Sequence, residues 1–507
     1  MELLVPLDPA AALPLHRQLY EGIRAAILTG RLHAGERLPS SRSLADSLQV
    51  ARNTVNAAYE QLAAEGYLAT RTGSGTYVSR DLPDDAPSAH STHPAHPVPA
   101  DRTIRLAAWG QRVAGLAAAP YQTGPPSGPP QRLDFRHGRP DATNFPIADW
   151  RHIMLRQLQH LGTEDIWYGP PTGSLRLRRE LASYLGRSRG VRCTPDQIIV
   201  TTGTQQSIDI ITRLLVDVRD TVAVENPCYP GARRVLEALG ARLVDVPVDH
   251  DGLIVEALPP EACTLAYTTP SHQYPTGATM PVGRRLDLLD WARRTGAVIL
   301  EDDYDSEFRH TGRPVEALQG LDRGQTVAYI GSFSKVLYPA LRMGYLVVPQ
   351  QLLGVAEEAK RLADLQTATP PQEALAEFLS TGLFEAHLRR MRRVYRERRA
   401  VLLEQIKLKL AGFATAGPSG AGLYVLMHLD PVLDERKVVQ RAAQLGVALY
   451  RAGPYYAAGD PPAGLIMGYA ALDAAQIADG IERVRQALQA TSRSGGYTPG
   501  RHPRGKS

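Results

Sequence analysis

The sequence predicts an α/β protein whose principal domain is built on a mainly parallel sheet, preceded by a small separate domain. Three observations carry that expectation. From about residue 131, the strand-like apolar runs QIIVTT, TVAVEN, TLAYTTP, AVILEDD, TVAYIG and GYLVVP alternate with helical stretches, the pattern of a sheet with helices on both faces. Residues 14–79 form a self-contained block of amphipathic helices ending in two short strand-like runs. Residues 81–130 are rich in Pro, His, Ala and Ser and lack sustained apolar periodicity, which reads as a linker.

The small domain, placed within residues 1–80, is read element by element. Leu15, Leu19, Ile23 and Ile27 recur at i+4 and mark the buried face of a helix that stops at Gly30. In ERLPSSRSLADSLQV, serines precede a short helix with Leu44, Ala45 and Leu48 inward. ARNTVNAAYEQLAAEGY supplies a further helix with Val55, Ala58 and Leu62 inward, ended by Gly66. YLATRTGSGTYVS closes the unit as two strands around a Gly-Ser-Gly turn. The linker is expected to hold a short helix near Leu106–Leu116, and its histidines read as a solvated tract rather than metal ligands. The main domain is expected over 131–490, with a smaller C-terminal α/β subdomain from about 370 and a disordered basic tail over 491–507.

Composition narrows the function classes. A chain of 507 residues exceeds one ordinary core. No apolar run approaches the length of a membrane span, and the N-terminal stretch carries acids where a signal peptide wants basic residues, so a cytosolic protein is expected. Cys193, Cys228 and Cys263 lie far apart without C-x-x-C spacing, which argues against a disulfide framework or zinc site. The net charge is +5, yet residues 1–80 hold 8 Arg against 7 acids. Any case for DNA therefore rests on where charge is placed.

Candidate chemistry gathers at the carboxyl ends of the expected strands, where open parallel sheets bind ligands. IIVTTGTQQSIDII reads as strand, Gly-containing turn and helix start. Gly203, Thr204 and Gln205 there would direct backbone N–H groups and the helix dipole at an anion. AVILEDDYDSEF ends a strand in acids, with Asp302 and Tyr304 two apart. TVAYIGSFSKVLYPALRMGYLVVP then supplies Ser332, Lys335 and Arg342. Lys335 is the first of only six lysines in a chain that otherwise relies on arginine. An ammonium can lose its proton and become a nucleophile, whereas a guanidinium effectively cannot. The fork of Arg342 suits a phosphate dianion. A lysine for a Schiff base, a carboxylate, a phenol and a phosphate cradle together meet the needs of pyridoxal 5′-phosphate (PLP).

On these motifs residues 131–490 resemble the fold-type-I aminotransferases, and residues 14–79 resemble the winged helix-turn-helix of GntR-type repressors. The combination is similar to the MocR/GabR family of bacterial transcription regulators. The resemblance implies that Lys335 forms the Schiff base with PLP, that Asp302 pairs with the pyridine nitrogen and that Tyr304 bonds the 3′ oxygen. It implies a phosphate cradle of Gly203, Thr204, Gln205, Ser332 and Arg342, with Tyr229 of ENPCYPG stacked on the ring. Tyr168 of WYGPPTG matches a tyrosine that reaches the cofactor of the partner subunit, which implies a homodimer.

Two departures stand out. The aminotransferase NPTG turn is SHQYPTG here, with Tyr274 in the Asn position and His272 or Gln273 as candidate substitutes. In GLIMGYA, Ile466 occupies the position of the Arg that grips an α-carboxylate in the family pattern L-R-L-G. Isoleucine offers no bidentate contact, so efficient transamination of ordinary amino acids is not expected.

For DNA the resemblance implies a helix-turn-helix in residues 40–64, with 52–64 in the major groove. Arg42, Arg52, Asn53, Thr54 and Asn56 are the expected contacts, with Arg71 and Gly73 in the wing. The Arg-dense run HLRRMRRVYRERR at 387–399 is read as a solvated or dimer-bridging face. The expected function is a PLP-dependent, DNA-binding regulator of the bacterial cytoplasm, on the nucleoid when bound to its operator. Its effector would be PLP itself, an amine or an amino acid. The alternative is a working aminotransferase with an appended DNA-binding domain.

Overall fold

The computed structural model describes residues 6–71, 75–82, 104–118, 132–163, 166–312, 315–457 and 461–494. Between Arg105 and Leu106 the chain divides into two compact units. Among the described residues no helix is long and apolar enough to cross a membrane.

The first unit comprises α1 (Leu15–Leu28), α2 (Ser41–Leu48), α3 (Arg52–Ala64), β1 (Leu68–Arg71) and β2 (Gly75–Val78). The Ser40 side chain caps α2 by accepting the Ser43 N–H at 3.1 Å, which satisfies one donor the first helical turn leaves open. Gln49, at φ 56°, ends α2 in the left-handed region and turns the chain toward α3. Leu19 and Ile23 of α1, Leu44 of α2, and Val55 and Leu62 of α3 form one core. The i+4 spacing read from the sequence is the face that is buried. β1 and β2 pair antiparallel, with Leu68 opposite Val78.

The second unit holds an eight-stranded sheet. Its order is Ile198–Thr201, Gly344–Val347, Val327–Ser332, Val298–Asp303, Leu265–Thr268, Thr221–Asn226, Arg242–Asp249 and Gly252–Leu253. The strands from Val327–Ser332 to Arg242–Asp249 are mutually parallel. Gly344–Val347 runs antiparallel to both its neighbours. Its direction follows from its connection: residues 333–343 are too short a link for a parallel crossover and simply return the chain. That return segment carries both Lys335 and Arg342.

The smaller sheet is antiparallel and joins Ala414–Ala416, Tyr424–Leu429, Gly464–Gly468 and Tyr450–Arg451 in that order. Helices Leu383–Lys409, Glu435–Gln444 and Ala474–Ser494 accompany it. Leu133–Asp134 pairs in parallel with Val447–Ala448, tying the start of this unit to its end.

Two boundaries differ from the sequence reading. Helix Ala108–Ala118, inside the expected linker, is fastened to helix Pro230–Leu239: Arg112 Nε donates to the Ala238 carbonyl at 2.7 Å, and Arg234 Nη1 donates to that of Leu116 at 3.1 Å. Arg213 lies 5.6 Å from the Trp109 ring centre, a cation–π contact that holds the same helix. At the other end, residues 491–494 continue the helix that begins at Ala474 rather than opening a disordered tail. Residues 83–103, 119–131 and 495–507 lie outside the described residues.

Candidate functional site

Strand ends and the return segment converge on a cavity of about 320 Å³ lined by Thr204, Gln205, Tyr229, Asp302, Tyr304, Ser332, Lys335 and Arg342, among others. These eight were singled out from the sequence, and the fold brings them together. Gly203 adjoins them as the residue before helix Thr204–Leu215. Its φ of 121° is one that side chains rarely adopt, and a Cβ there would lie 3.4 Å from both Arg342 terminal nitrogens. The turn therefore needs glycine for its conformation, with the guanidinium at ordinary contact distance over it. Arg342 itself sits at φ 50°, an uncommon place for a long side chain. Ser332 Oγ accepts the Ser334 N–H at 3.1 Å, which fixes the hydroxyl beside this turn.

Lys335 reaches across the cavity, its Nζ donating to the Gly138 carbonyl at 3.0 Å. A Cβ on Gly138 would lie 2.6 Å from that nitrogen, so glycine leaves the ammonium its room. Burial lowers the Lys335 pKa, and the nearby carboxylates of Asp305 and Asp302 oppose the shift. Asp302, at the end of strand Val298–Asp303, is buried. Its Oδ2 accepts from the Tyr267 hydroxyl at 2.7 Å, while Oδ1 has no partner among the described residues. Burial pushes its pKa up to about 7, with the Tyr267 hydrogen bond pulling the other way.

The residues present fit PLP. The orphaned Asp302 Oδ1 is the acceptor a protonated ring nitrogen requires, since a buried oxygen without a donor is costly. The helix start at Thr204 with Arg342 matches a phosphate dianion. Lys335 is the nucleophile that an aldehyde requires.

Sequence reasoning missed His137, Tyr267, Asp305, Tyr424 and Tyr455, all of which line the cavity. Tyr267 and Asp305 lie beside expected strand ends, so their placement was a usable signal; the other three come from distant segments and had none. Burial, helped by Lys335 and Arg136, lowers the His137 pKa to about 3, so this ring is neutral. Its Nε2 bonds the Tyr455 hydroxyl at 2.9 Å. Tyr274 faces the rings of Tyr455, Tyr304 and Tyr424 at centroid distances of 5.4, 5.6 and 5.7 Å. The Tyr304 hydroxyl donates to the His272 carbonyl at 2.9 Å and bonds the Tyr424 hydroxyl at 2.9 Å.

Neither substitute suggested for the missing Asn lines this cavity. Gln273 spends its amide nitrogen on Glu225, Pro227 and Tyr274, and its oxygen on Thr276. The His272 ring bonds Asp305 at 2.9 Å. Both are held by buried hydrogen bonds that would be lost if they turned outward. Ile466 is fully buried with Tyr424, Leu426, Ala452 and Tyr455, with Tyr274 and Tyr304 packed against the cluster. Tyr168 lies away from its own chain's cavity and is 80% exposed.

On the first unit, Arg42, Arg52 and Asn53 are exposed, and Thr54 and Asn56 half-buried, at the starts of α2 and α3. Arg71 ends β1, with only its backbone described, and Gly73 lies outside the described residues.

Residues 134–484 match the aminotransferase class I and II family, and residues 15–78 match the gntR family of bacterial regulatory proteins. The chain is 40% identical over 496 residues to a probable rhizopine catabolism regulatory protein, MocR, of Rhizobium meliloti, covering 97% of each. It is 33% identical to the pyridoxine biosynthesis transcriptional regulator PdxR of Corynebacterium glutamicum, covering 93% of this chain and 95% of that one. The structure of the α-aminoadipate aminotransferase LysN from Thermus thermophilus, complexed with N-(5′-phosphopyridoxyl)-L-leucine, superposes with a TM-score of 0.67 at 31% identity, over 71% of this chain and 93% of that one. With a GntR winged helix joined to a PLP-binding aminotransferase fold along its whole length, the chain belongs to the MocR-type transcriptional regulators.

Proposed function

We propose that this regulator works as a homodimer in which PLP on Lys335 primes the second unit to sense an effector, and that effector binding repositions the winged helices on an operator. One observation carries the reading: the cavity offers a full set of groups for the cofactor and none for an amino acid's carboxylate. Among the described residues lining it, the cationic side chains are Lys335 and Arg342, and both are committed to the cofactor. Bound PLP supplies an aldehyde that captures primary amines. Asp302 would hold the ring nitrogen's proton and Tyr229 would lie against the ring, while Tyr304, to donate to the ring's oxygen, would release the His272 carbonyl that it bonds. Gly203, Thr204, Gln205, Ser332 and Arg342 grip the phosphate. The exposure of Tyr168 supports a role in the partner's site.

A ligand shifts the DNA-binding equilibrium only by binding its two states differently. Operator binding is therefore measured for the apo protein, with PLP, and with PLP plus candidate amines. Equal affinity in all three conditions removes the sensor reading. Sustained turnover with common amino donors and a keto acid would instead favour the aminotransferase alternative.

A further inference from the structure

We propose that the ligand recognised beside the cofactor is a primary amine bearing no carboxylate, and that Asp305 is the residue that turns acids away. The inference rests on PLP occupying the cavity as argued above. Among the described residues, the cavity is lined by the carboxylates Asp302 and Asp305 and by the cationic side chains Lys335 and Arg342. Arg342 would hold PLP's phosphate, Asp302 its ring nitrogen and Lys335 its aldehyde carbon. Asp305, paired with His272 and close to Lys335, is the one carboxyl group lining the cavity that the cofactor would not engage. Its carboxylate is buried and held by His272 Nδ1 at 2.9 and 3.1 Å. An incoming carboxylate would be set against the Asp305 carboxyl oxygens, acceptors already engaged by His272, which is an unfavourable pairing in a buried site.

Among the described residues, the rest of the wall adds no cation to hold a carboxylate. His137 is neutral. The hydroxyls of Tyr304 and Tyr424 bond each other, and that of Tyr455 bonds His137. The position at which the related pattern places an arginine is Ile466, sealed in an apolar cluster under Tyr424 and Tyr455. Ring faces of Tyr229, Tyr274, Tyr304, Tyr424 and Tyr455 remain, and these accept apolar or cationic groups.

The test uses full-length, PLP-loaded protein and three probes that differ at one carbon: 2-phenylethylamine, L-phenylalanine and L-phenylalaninamide. Cofactor loading is first read from the visible absorbance, and each probe is then titrated by calorimetry. The expected result is that the amine and the amide bind at least about tenfold more tightly than the acid. Equal or tighter binding of phenylalanine overturns the proposal. If the amide is rejected as strongly as the acid, size rather than charge discriminates, and Asp305 loses its assigned role. In Asp305→Asn the acid should gain on the amine; undiminished discrimination in a variant that still loads PLP also removes Asp305. A protein with no cofactor band fails earlier, at the reading on which this inference depends, and the two failures are thereby told apart.

Discussion

Tyr267 donates a 2.7 Å hydrogen bond to Asp302 Oδ2, while Oδ1 of the same buried carboxylate faces no donor among the described residues. Half of this group is satisfied by the protein, and on the proposed reading the other half would meet the cofactor. Its raised pKa has a definite sign in stability. Below the ordinary carboxylate range Asp302 is protonated both folded and unfolded. As pH rises toward about 7, the unfolded chain sheds its proton first, so the folded apo protein loses stability. Across roughly pH 4 to 7 the loss from this one group is expected to approach about 4 kcal/mol at most. Thermal melts of apo wild type and Asp302→Asn should diverge in pH dependence over that window. PLP should flatten the wild-type profile.

Lys335→Arg separates charge from nucleophilicity. The variant keeps a cation in the cavity, but a guanidinium does not deprotonate to attack an aldehyde. After incubation with PLP and reduction with borohydride, wild type should gain the mass of the cofactor and Lys335→Arg should not. A mass gain in the variant would place the covalent link elsewhere.

The turn at Gly203 is tested by Gly203→Ala. The backbone there at φ 121° is unfavourable for alanine, while the added Cβ would meet Arg342 only at ordinary contact distance. A stability loss of about 1–3 kcal/mol is expected from the backbone alone. Fluorescence titration should show weaker PLP binding, and the competing affinity for free phosphate should fall with it.

Arg42 and Arg52 are exposed on the first unit, so their loss should leave its melting behaviour nearly unchanged. Each alanine substitution should lower operator affinity and reduce the slope of log K against log salt by about one. An unchanged slope would move the DNA contact to another face. Leu62→Ala, by contrast, removes a side chain with 0% exposure. It should cost about 2–5 kcal/mol of stability before any effect on DNA is read.

Much of this molecule follows from local sequence. The i+4 repeats at Leu19, Ile23 and Ile27 bury as a face because helical geometry alone places them together. Gly203, Asp302 and Lys335 are legible because each lies at or beside a strand end, and strand ends in a parallel sheet share an edge. The lysine stands out for a chemical reason as well, being a removable proton in a chain that elsewhere prefers arginine. What only the tertiary structure decided is how segments distant in sequence meet. His137, Tyr424 and Tyr455 enter the cavity because Leu133–Asp134 pairs with Val447–Ala448 and because Tyr424–Leu429 pairs with Gly464–Gly468. Pairings between remote strands depend on register and burial across the whole unit, which no local window contains. The same holds for His272 and Gln273, whose composition suits a cofactor contact. Buried partners at Asp305 and Glu225 hold the His272 Nδ1 and the Gln273 amide away from the cavity, because breaking those bonds would strand polar groups in the interior.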